Sequence, residues 1–445
     1  MTKRDNYTFL TQGPIHKVIG TMAVPTIISM LITNLYNIAD TFFVGKLDTQ
    51  STAAVGVVFS LMFLIQAIGF FFGHGSGNYI SRELGARRRG NAERMAATGF
   101  VYSFASGIVC MMLGLVLLTP LSRWLGSTPT ILPYTERYLG IVLLGCPFMM
   151  ASLTLNNQMR LQGNATYAMY GIVTGAVVNV ALDPLLIFGF HMGVSGAAWA
   201  TVIGQVLSFL ILLRMTSHAG NIPIRLRNFL PGAGPLREIF YGGSPSLSRQ
   251  GLGAIATLLL NVMAGAYGDA AIAAMTIVGR ISMFVGAIVV GFGQGFQPFC
   301  GFCYGARLYG RLREGYWFCV RTGTAILLVM TVICAIFSSE AIWLFRNDAE
   351  VIAIGTTALR WQVCTWPLTA IIIISNMLMQ TCRKPLPANI LAAARRGLFF
   401  IPLILILPHF FGLLGVEMCQ AWSDVLAFAI TIPIVRRFFK ELPKE

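Results

Sequence analysis

Twelve apolar stretches recur along the whole chain, at 18–44, 53–79, 95–119, 134–159, 167–190, 194–216, 239–265, 271–300, 316–339, 351–381, 387–408 and 412–435. Each is near or above the roughly 20 residues that a helix needs to cross a bilayer core. Hydrocarbon offers no partner to backbone N–H and C=O groups, so such runs must be helices. Only 11% of residues are charged and 56% are hydrophobic, against about a quarter charged in an average soluble domain. The mean hydropathy is +0.72. A soluble protein with one anchor is excluded. The first run lacks a small-residue cleavage site, so it is expected to remain as a span rather than leave as a signal peptide. The expected fold class is an all-α integral membrane protein with twelve transmembrane helices.

The cations are distributed unevenly. With the N-terminus placed in the cytoplasm, the tails and even-numbered turns hold 24 of the 32 Lys and Arg residues, including Lys3, Arg4, Arg82, Arg160, Arg395, Arg396 and Lys444. The opposite turns hold only Lys46, Arg123, Arg137 and Arg346, while Arg249, Arg280, Arg321 and Arg360 fall within helices. The positive-inside rule then puts both termini in the cytoplasm. The net charge of +15 follows from this bias and from attraction to anionic lipid, with no nucleic acid partner required. The nine cysteines sit in or beside apolar runs and imply no disulfide framework. Cys300 and Cys303 form a CxxC with no second ligand pair, and read as small helix residues rather than a metal site.

A polar connector at 217–238, rich in Gly, Pro and Arg, divides the chain near its midpoint. It separates an N-terminal six-helix lobe (1–216) from a C-terminal one (239–445), as a cytoplasmic linker. The halves are related: a shift of 220 residues aligns Gly73-His74-Gly75 with Gly293-Gln294-Gly295, and Gly85-Ala86-Arg87 with Gly305-Ala306-Arg307. It also pairs Pro25 with Pro245 and Pro147 with Pro367. An even number of spans per half makes these parallel repeats about an axis along the membrane normal, a pattern of transporters with a cavity between the halves. A duplicated channel or membrane enzyme would share it.

Ionisable residues at bilayer depth call for a partner or a cavity. Asp40 ends the first span, with Tyr36 and Asn37 one turn before it and Asn34 close by. It is either a functional acid or a cap at the helix end. Asp183 lies deep in the fifth span, one turn after Asn179 and directly before Pro184, which removes the N–H that would bond Val180. Pro25 and Pro184 are candidate hinges. Glu417 and Asp424 share a face of the last span and are candidate acids of the second half. The repeat sets Leu260 opposite Asp40, and Pro402 or Leu403 opposite Asp183. Ionic coupling is therefore expected in the N-terminal half.

The run from Pro25 to Asp40 ending in NLYNIADTFFVG, the segment NVALDPLLIFG at 179–189 followed by GVSGAAWAT at 193–201, and the two GAR turns together resemble one known family. The chain is similar over nearly its full length to the multidrug and toxic compound extrusion (MATE) transporters, in their bacterial MepA-like and DinF-like branch. The resemblance implies two pseudo-symmetric six-helix bundles around a V-shaped central cavity. It implies a multi-pass protein of the bacterial cytoplasmic membrane that exports organic cations in exchange for H+ or Na+. In DinF-like members a polar network joins a helix-one Asp, a helix-five Asn and Asp, and a helix-six Thr; those roles fall here on Asp40, Asn179, Asp183 and Thr201, where Na+ would also sit. NorM-like members use acids in helices seven and eight, where this chain has Gln250, Asn261, Gln294 and Gln297.

The reading that follows is a monomeric antiporter, not an enzyme, without a cofactor other than its coupling ion, acting on small lipophilic cations and surrounded by membrane lipid. A lipid-linked oligosaccharide flippase of the same superfamily is the alternative, but it calls for clustered cations where Arg249, Arg280, Arg321 and Arg360 are scattered. A membrane-embedded enzyme is the more distant one, and the five histidines form no HExxH or HxxxD pairing.

Overall fold

The structure, a computed structural model, describes residues 5–218 and 220–443, so the tail cations Lys3, Arg4 and Lys444 lie outside the described residues. No strand occurs among the described residues. A short helix, α1 (Asn6–Gln12), precedes the spans and is capped by the Asp5 carboxylate, which accepts from the Tyr7 and Thr8 N–H groups. The first three spans are α2 (Ile15–Val44), α3 (Thr49–Gly85) and α4 (Arg89–Val116). After the short α5 (Leu118–Trp124), the fourth is broken into α6 (Leu132–Leu144) and α7 (Cys146–Leu161), bent by 48°. The break falls at Gly145-Cys146-Pro147, where Pro147 has no N–H to continue the ladder. Next come α8 (Ala165–Pro184), a π turn at Leu185–Gly189, and α9 (Val194–Thr216).

The second half opens with α10 (Ala233–Gly265), α11 (Asp269–Gly305), α12 (Tyr309–Ile336) and the short α13 (Ser338–Phe345). It continues with α14 (Ala349–Thr381), α15 (Pro385–Ala393), a π turn at Ala394–Leu398, α16 (Phe400–Phe411) and α17 (Leu413–Glu441). Ten helical stretches are long and apolar enough to cross a membrane, eleven with the bent pair. The remaining expected span, 239–265, lies within the 33-residue α10, which Arg249, Gln250 and Asn261 leave less apolar than the others. This helix begins at Ala233, so the end of the 217–238 connector already belongs to it.

Glycines let the two halves of the chain touch. A Cβ built on Gly305 would lie 2.0 Å from the Arg82 carbonyl oxygen, and one on Gly85 would lie 2.3 Å from that of Phe302. Gly295 abuts Ala23 and Gly291 abuts Ile27, bringing α11 onto α2, while Gly75 and Gly242 bring α3 onto α10. Such small-residue crossings let backbones approach where lipid supplies no hydrophobic drive. Farther along the same helices, Gly251, Gly279 and Gly286 have open space within 4 Å of a built Cβ. The close glycine contacts between the halves thus lie near the GAR turns.

The four turns on the GAR side share one geometry. The N–H of Arg88, Asn164, Leu308 and Lys384 reaches back to the carbonyl of Glu83, Met159, Cys303 and Met379 respectively. The residue before each donor is in the left-handed region, at Arg87 (φ 58°), Gly163 (φ 90°), Arg307 (φ 62°) and Arg383 (φ 57°). This is the helix-ending bond pattern that satisfies the last carbonyls.

Four cations expected in turns are instead inside the bundle. Arg82 is 9% and Arg160 2% exposed, and Arg395 and Arg396 are half-buried in the second π turn. A cation near a Gly in sequence looks like a turn residue, but helices α3 and α7 run on and enclose these two guanidinium groups.

Candidate functional site

The fifth and sixth spans cross closely. A Cβ on Gly175 would meet the Gly204 carbonyl oxygen at 2.8 Å, and one on Gly204 would meet the Asn179 Cβ at 3.2 Å. That approach lets the Asn179 Nδ2 donate to the Thr201 Oγ1 at 3.3 Å, while the Thr201 hydroxyl donates to the Ala197 carbonyl at 3.1 Å. One turn on, Asp183 is 0% exposed. Pro184 interrupts the backbone ladder there, and α8 widens directly into its π turn. Irregular turns of this kind are frequent at functional sites.

Asp40, on the neighbouring α2, is close enough for its charge to act on Asp183. Both Asp183 oxygens, the Asp40 Oδ1 and the Asn179 Oδ1 are buried without a hydrogen-bond partner. Such groups are uncommon in folded proteins and call for an explanation. An intramembrane carboxylate costs about 3 kcal/mol on insertion scales, and no Lys or Arg among the described residues offsets that cost here. Of the other expected members, Tyr36 lies beside Asp40, whereas Asn34 and Asn37 are half-buried and make no side-chain hydrogen bond among the described residues. Pro25 sits buried inside a continuous α2, and the Ser29 hydroxyl donates to its carbonyl at 2.9 Å.

Tyr138 of α6 was not legible as part of this group. It is buried, and Asp40, Asp183, Tyr36 and Thr201 all act on its hydroxyl. A Tyr near a span's end ordinarily reads as an interface anchor, and the sequence carries no signal against that.

The candidates of the second half separate. Asp424, 1% exposed, is held by Arg395, with Nε to Oδ1 at 2.6 Å and Nη2 to Oδ2 at 3.3 Å. Gln420 and Thr365 also donate to it, at 2.9 and 3.3 Å. Its carboxylate is thus fully hydrogen-bonded, unlike that of Asp183. Glu417 is buried with no side-chain hydrogen bond among the described residues. Gln250 is half-buried and Asn261 exposed on α10.

Gln294 and Gln297 belong to a polar layer that crosses between the halves. The Arg160 Nη1 donates to the Gln294 carbonyl at 2.5 Å and to the Gln297 Oε1 at 3.1 Å, and Nη2 donates to the Asn157 Oδ1 at 2.5 Å. The same Nη2 faces the His74 Nε2 at 3.3 Å. Since Arg has no acceptor, that nitrogen is the unprotonated one, which leaves the His74 Nδ1–H to serve the Phe70 carbonyl at 3.2 Å and Ser246 at 3.1 Å. Gln380 then donates to Ser246 at 2.8 Å and to the Gly242 carbonyl at 2.6 Å.

A sequence profile described as MatE matches residues 25–185 and again residues 245–406. The chain belongs to the MatE family. The two matches begin 220 residues apart, the offset at which the sequence aligns with itself. This MatE protein is 27% identical over 429 residues to the multidrug export protein MepA of Staphylococcus aureus (strain MSSA476), covering 96% of this chain and 93% of that one. It is 26% identical over 427 residues to MepA of Staphylococcus haemolyticus (strain JCSC1435), with the same coverage. Among solved structures, a MOP superfamily transporter from Pyrococcus furiosus Vc1 (DSM3638) superposes over 100% of both chains with a TM-score of 0.93 at 25% identity. A multidrug resistance MATE family transporter in an outward-facing conformation does so over 99% of both chains, with a TM-score of 0.93 at 26% identity. The all-helical MATE fold expected from the sequence is therefore the fold of this chain, and it is a multi-pass membrane protein.

Proposed function

We propose that this MatE protein is a secondary active multidrug efflux antiporter that exports lipophilic organic cations in exchange for H+ or Na+ by alternating access. The observation that carries the proposal is the unpartnered Asp183 carboxylate beside Asp40. No Lys or Arg pairs with either acid among the described residues, so a cation or a proton must neutralise them when they are enclosed. The multidrug export proteins similar to it support the substrate class.

In this mechanism the acids, when ionised, hold an organic cation in the cleft, with exposed Phe, Met and Tyr side chains giving an adaptable wall and cation–π contacts. Entry of the coupling ion at Asp40 and Asp183 cancels that attraction. Helix α2 then bends at Pro25, where the Thr21 carbonyl lacks its helical donor, and the cation leaves. The halves 1–216 and 239–445 move as lobes about their contact near the GAR turns. Both termini lie in the cytoplasm in this reading, and the open end faces outward.

The test is efflux of a panel of organic cations from everted vesicles, with proton and sodium gradients imposed separately. Asp183→Asn is expected to abolish gradient-driven efflux while leaving the protein folded. Undiminished transport by that variant would sink the mechanism.

A further inference from the structure

The two GAR turns meet at a cavity. Its volume is about 390 Å³, within the range of roughly 300–1,000 Å³ usual for small-ligand pockets. It is lined by the Gly85-Ala86-Arg87 and Gly305-Ala306-Arg307 triplets together with Arg88 and Tyr7. The backbones of the turns touch there. A Cβ on Gly305 would lie 3.0 Å from the Ala86 nitrogen as well as 2.0 Å from the Arg82 carbonyl oxygen, and one on Gly85 would lie 2.3 Å from that of Phe302. Arg87 and Arg307 each stand two residues beyond this contact, in the same left-handed conformation (φ 58° and 62°). One cavity therefore joins a cation of the first half to its repeat mate in the second.

The wall of this cavity holds three arginines and no acid. The Arg87 guanidinium lies over the Tyr7 ring at 4.3 Å. The nearby Asp5 carboxylate, on which Arg87 acts, is occupied by the Thr8 hydroxyl and by the N–H groups it caps in α1. Arg88 pairs with Glu83 at 3.0 Å, and Glu83 also accepts from Asn91 at 2.8 Å. Arg307 is exposed and makes no side-chain hydrogen bond or ion pair among the described residues. The N–H groups of Ala86, Arg87, Arg88, Ala306, Arg307 and Leu308 are all spent on carbonyls of the helix ends, so an anion entering here is met by side chains. Charge of one sign along a concave wall raises the local concentration of the opposite ion. The planar fork of Arg then matches phosphate oxygens two at a time, with charge-assisted hydrogen bonds.

We infer that the paired GAR turns form a binding site for a phosphate-bearing anion, which bridges the two halves through Arg87 and Arg307. A soluble polyphosphate and the headgroup of an anionic lipid share this chemistry. That the bound anion restrains the motion of the lobes about this contact rests on the transport reading above; that it binds does not.

The experiment uses the full chain in nanodiscs at about 0.1 M salt, where exposed charges are already screened beyond about 10 Å. Inorganic tripolyphosphate is titrated by calorimetry into discs of neutral phosphatidylcholine. In the double variant Arg87→Gly, Arg307→Gly, whose glycines suit the left-handed backbone, its affinity is expected to fall at least tenfold, as the loss of charge-assisted contacts requires. Arg436→Gln, which removes an exposed cation of α17 outside the cavity, is expected to leave it unchanged. A lipid source shows instead as a melting temperature raised by adding phosphatidylglycerol to the discs, in the unmodified protein and in Arg436→Gln but not in the double variant. If the double variant does not fold, Arg307→Gly alone must weaken the response. The inference is overturned if neither anion acts on the unmodified protein, if the response survives loss of Arg87 and Arg307, or if Arg436→Gln lowers it equally. Undiminished efflux by Asp183→Asn would leave these results untouched, so the two readings fail separately.

Discussion

At the scale of single residues, the site depends on glycines that carry no chemistry of their own. Gly175 brings α8 onto α9 so that Asn179 reaches Thr201 at 3.3 Å. Gly175→Val places methyl groups against the Gly204 carbonyl and Ser208. The overpacking should cost about 1–3 kcal/mol and push the two helices apart. A lowered melting temperature with slower gradient-driven efflux is the expected result; a variant with unchanged transport would show that the Asn179–Thr201 contact is dispensable. The pair Asn179 and Asp183 was legible because polar residues one turn apart stand out in an apolar run. Tyr138 was not, since nothing in the sequence relates α6 to α8. The placing of Asp424 against Arg395 was equally hidden, because the two lie 29 positions apart on different elements.

At the scale of elements, the spans were readable nearly to their ends because apolar runs and Gly or Pro breaks fix them. Their interruptions were less so. Pro147 follows a break that bends its span by 48°, while its repeat mate Pro367 lies inside a continuous 33-residue α14. One residue type gives two outcomes, decided by Gly145 in the first half and by packing in the second. Pro184 leads into the π turn beside Asp183. Pro184→Ala restores a backbone N–H and removes a residue that is disfavoured in a helix by about 3 kcal/mol. This variant should melt at a higher temperature and turn over more slowly, a split visible by pairing thermal denaturation with an efflux assay. Equal turnover would mean that the widened turn is a packing accommodation only.

At the scale of the whole molecule, the halves are joined by the buried layer around Arg160. Its guanidinium serves Asn157 on its own helix and Gln294 and Gln297 on α11, and it faces His74. Arg160→Ala leaves those groups buried without a donor, a loss of roughly 3 kcal/mol for such a network. A melting temperature lower by several degrees, with faster hydrogen exchange in α3 and α10 where they cross, is expected; unchanged exchange would remove the layer as a tie between the halves. The duplication was visible in the sequence because glycines and prolines mark it. The tie was not, because its central Arg sits where topology rules expect a loop cation, and only the packing of α7 against α11 shows it enclosed.

The four left-handed turns bear on how such a chain is made. Glycine adopts that conformation without penalty, as at Gly163, yet the equivalent position is arginine at 87, 307 and 383. A side chain there is strained by about 1–2 kcal/mol, offset in part where Arg383 pairs with Glu238 at 2.6 Å and where the Arg87 guanidinium lies over the Tyr7 ring at 4.3 Å. What the arginines add is charge on one side of the membrane, which acts while each hairpin is being inserted and its orientation decided. The same charges then have a second use, since two of the three turns are fastened through them once the chain is folded, to Glu238 by Arg383 and to the Tyr7 ring by Arg87; glycine at these positions would relax the backbone and give up both the signal for insertion and the fastening.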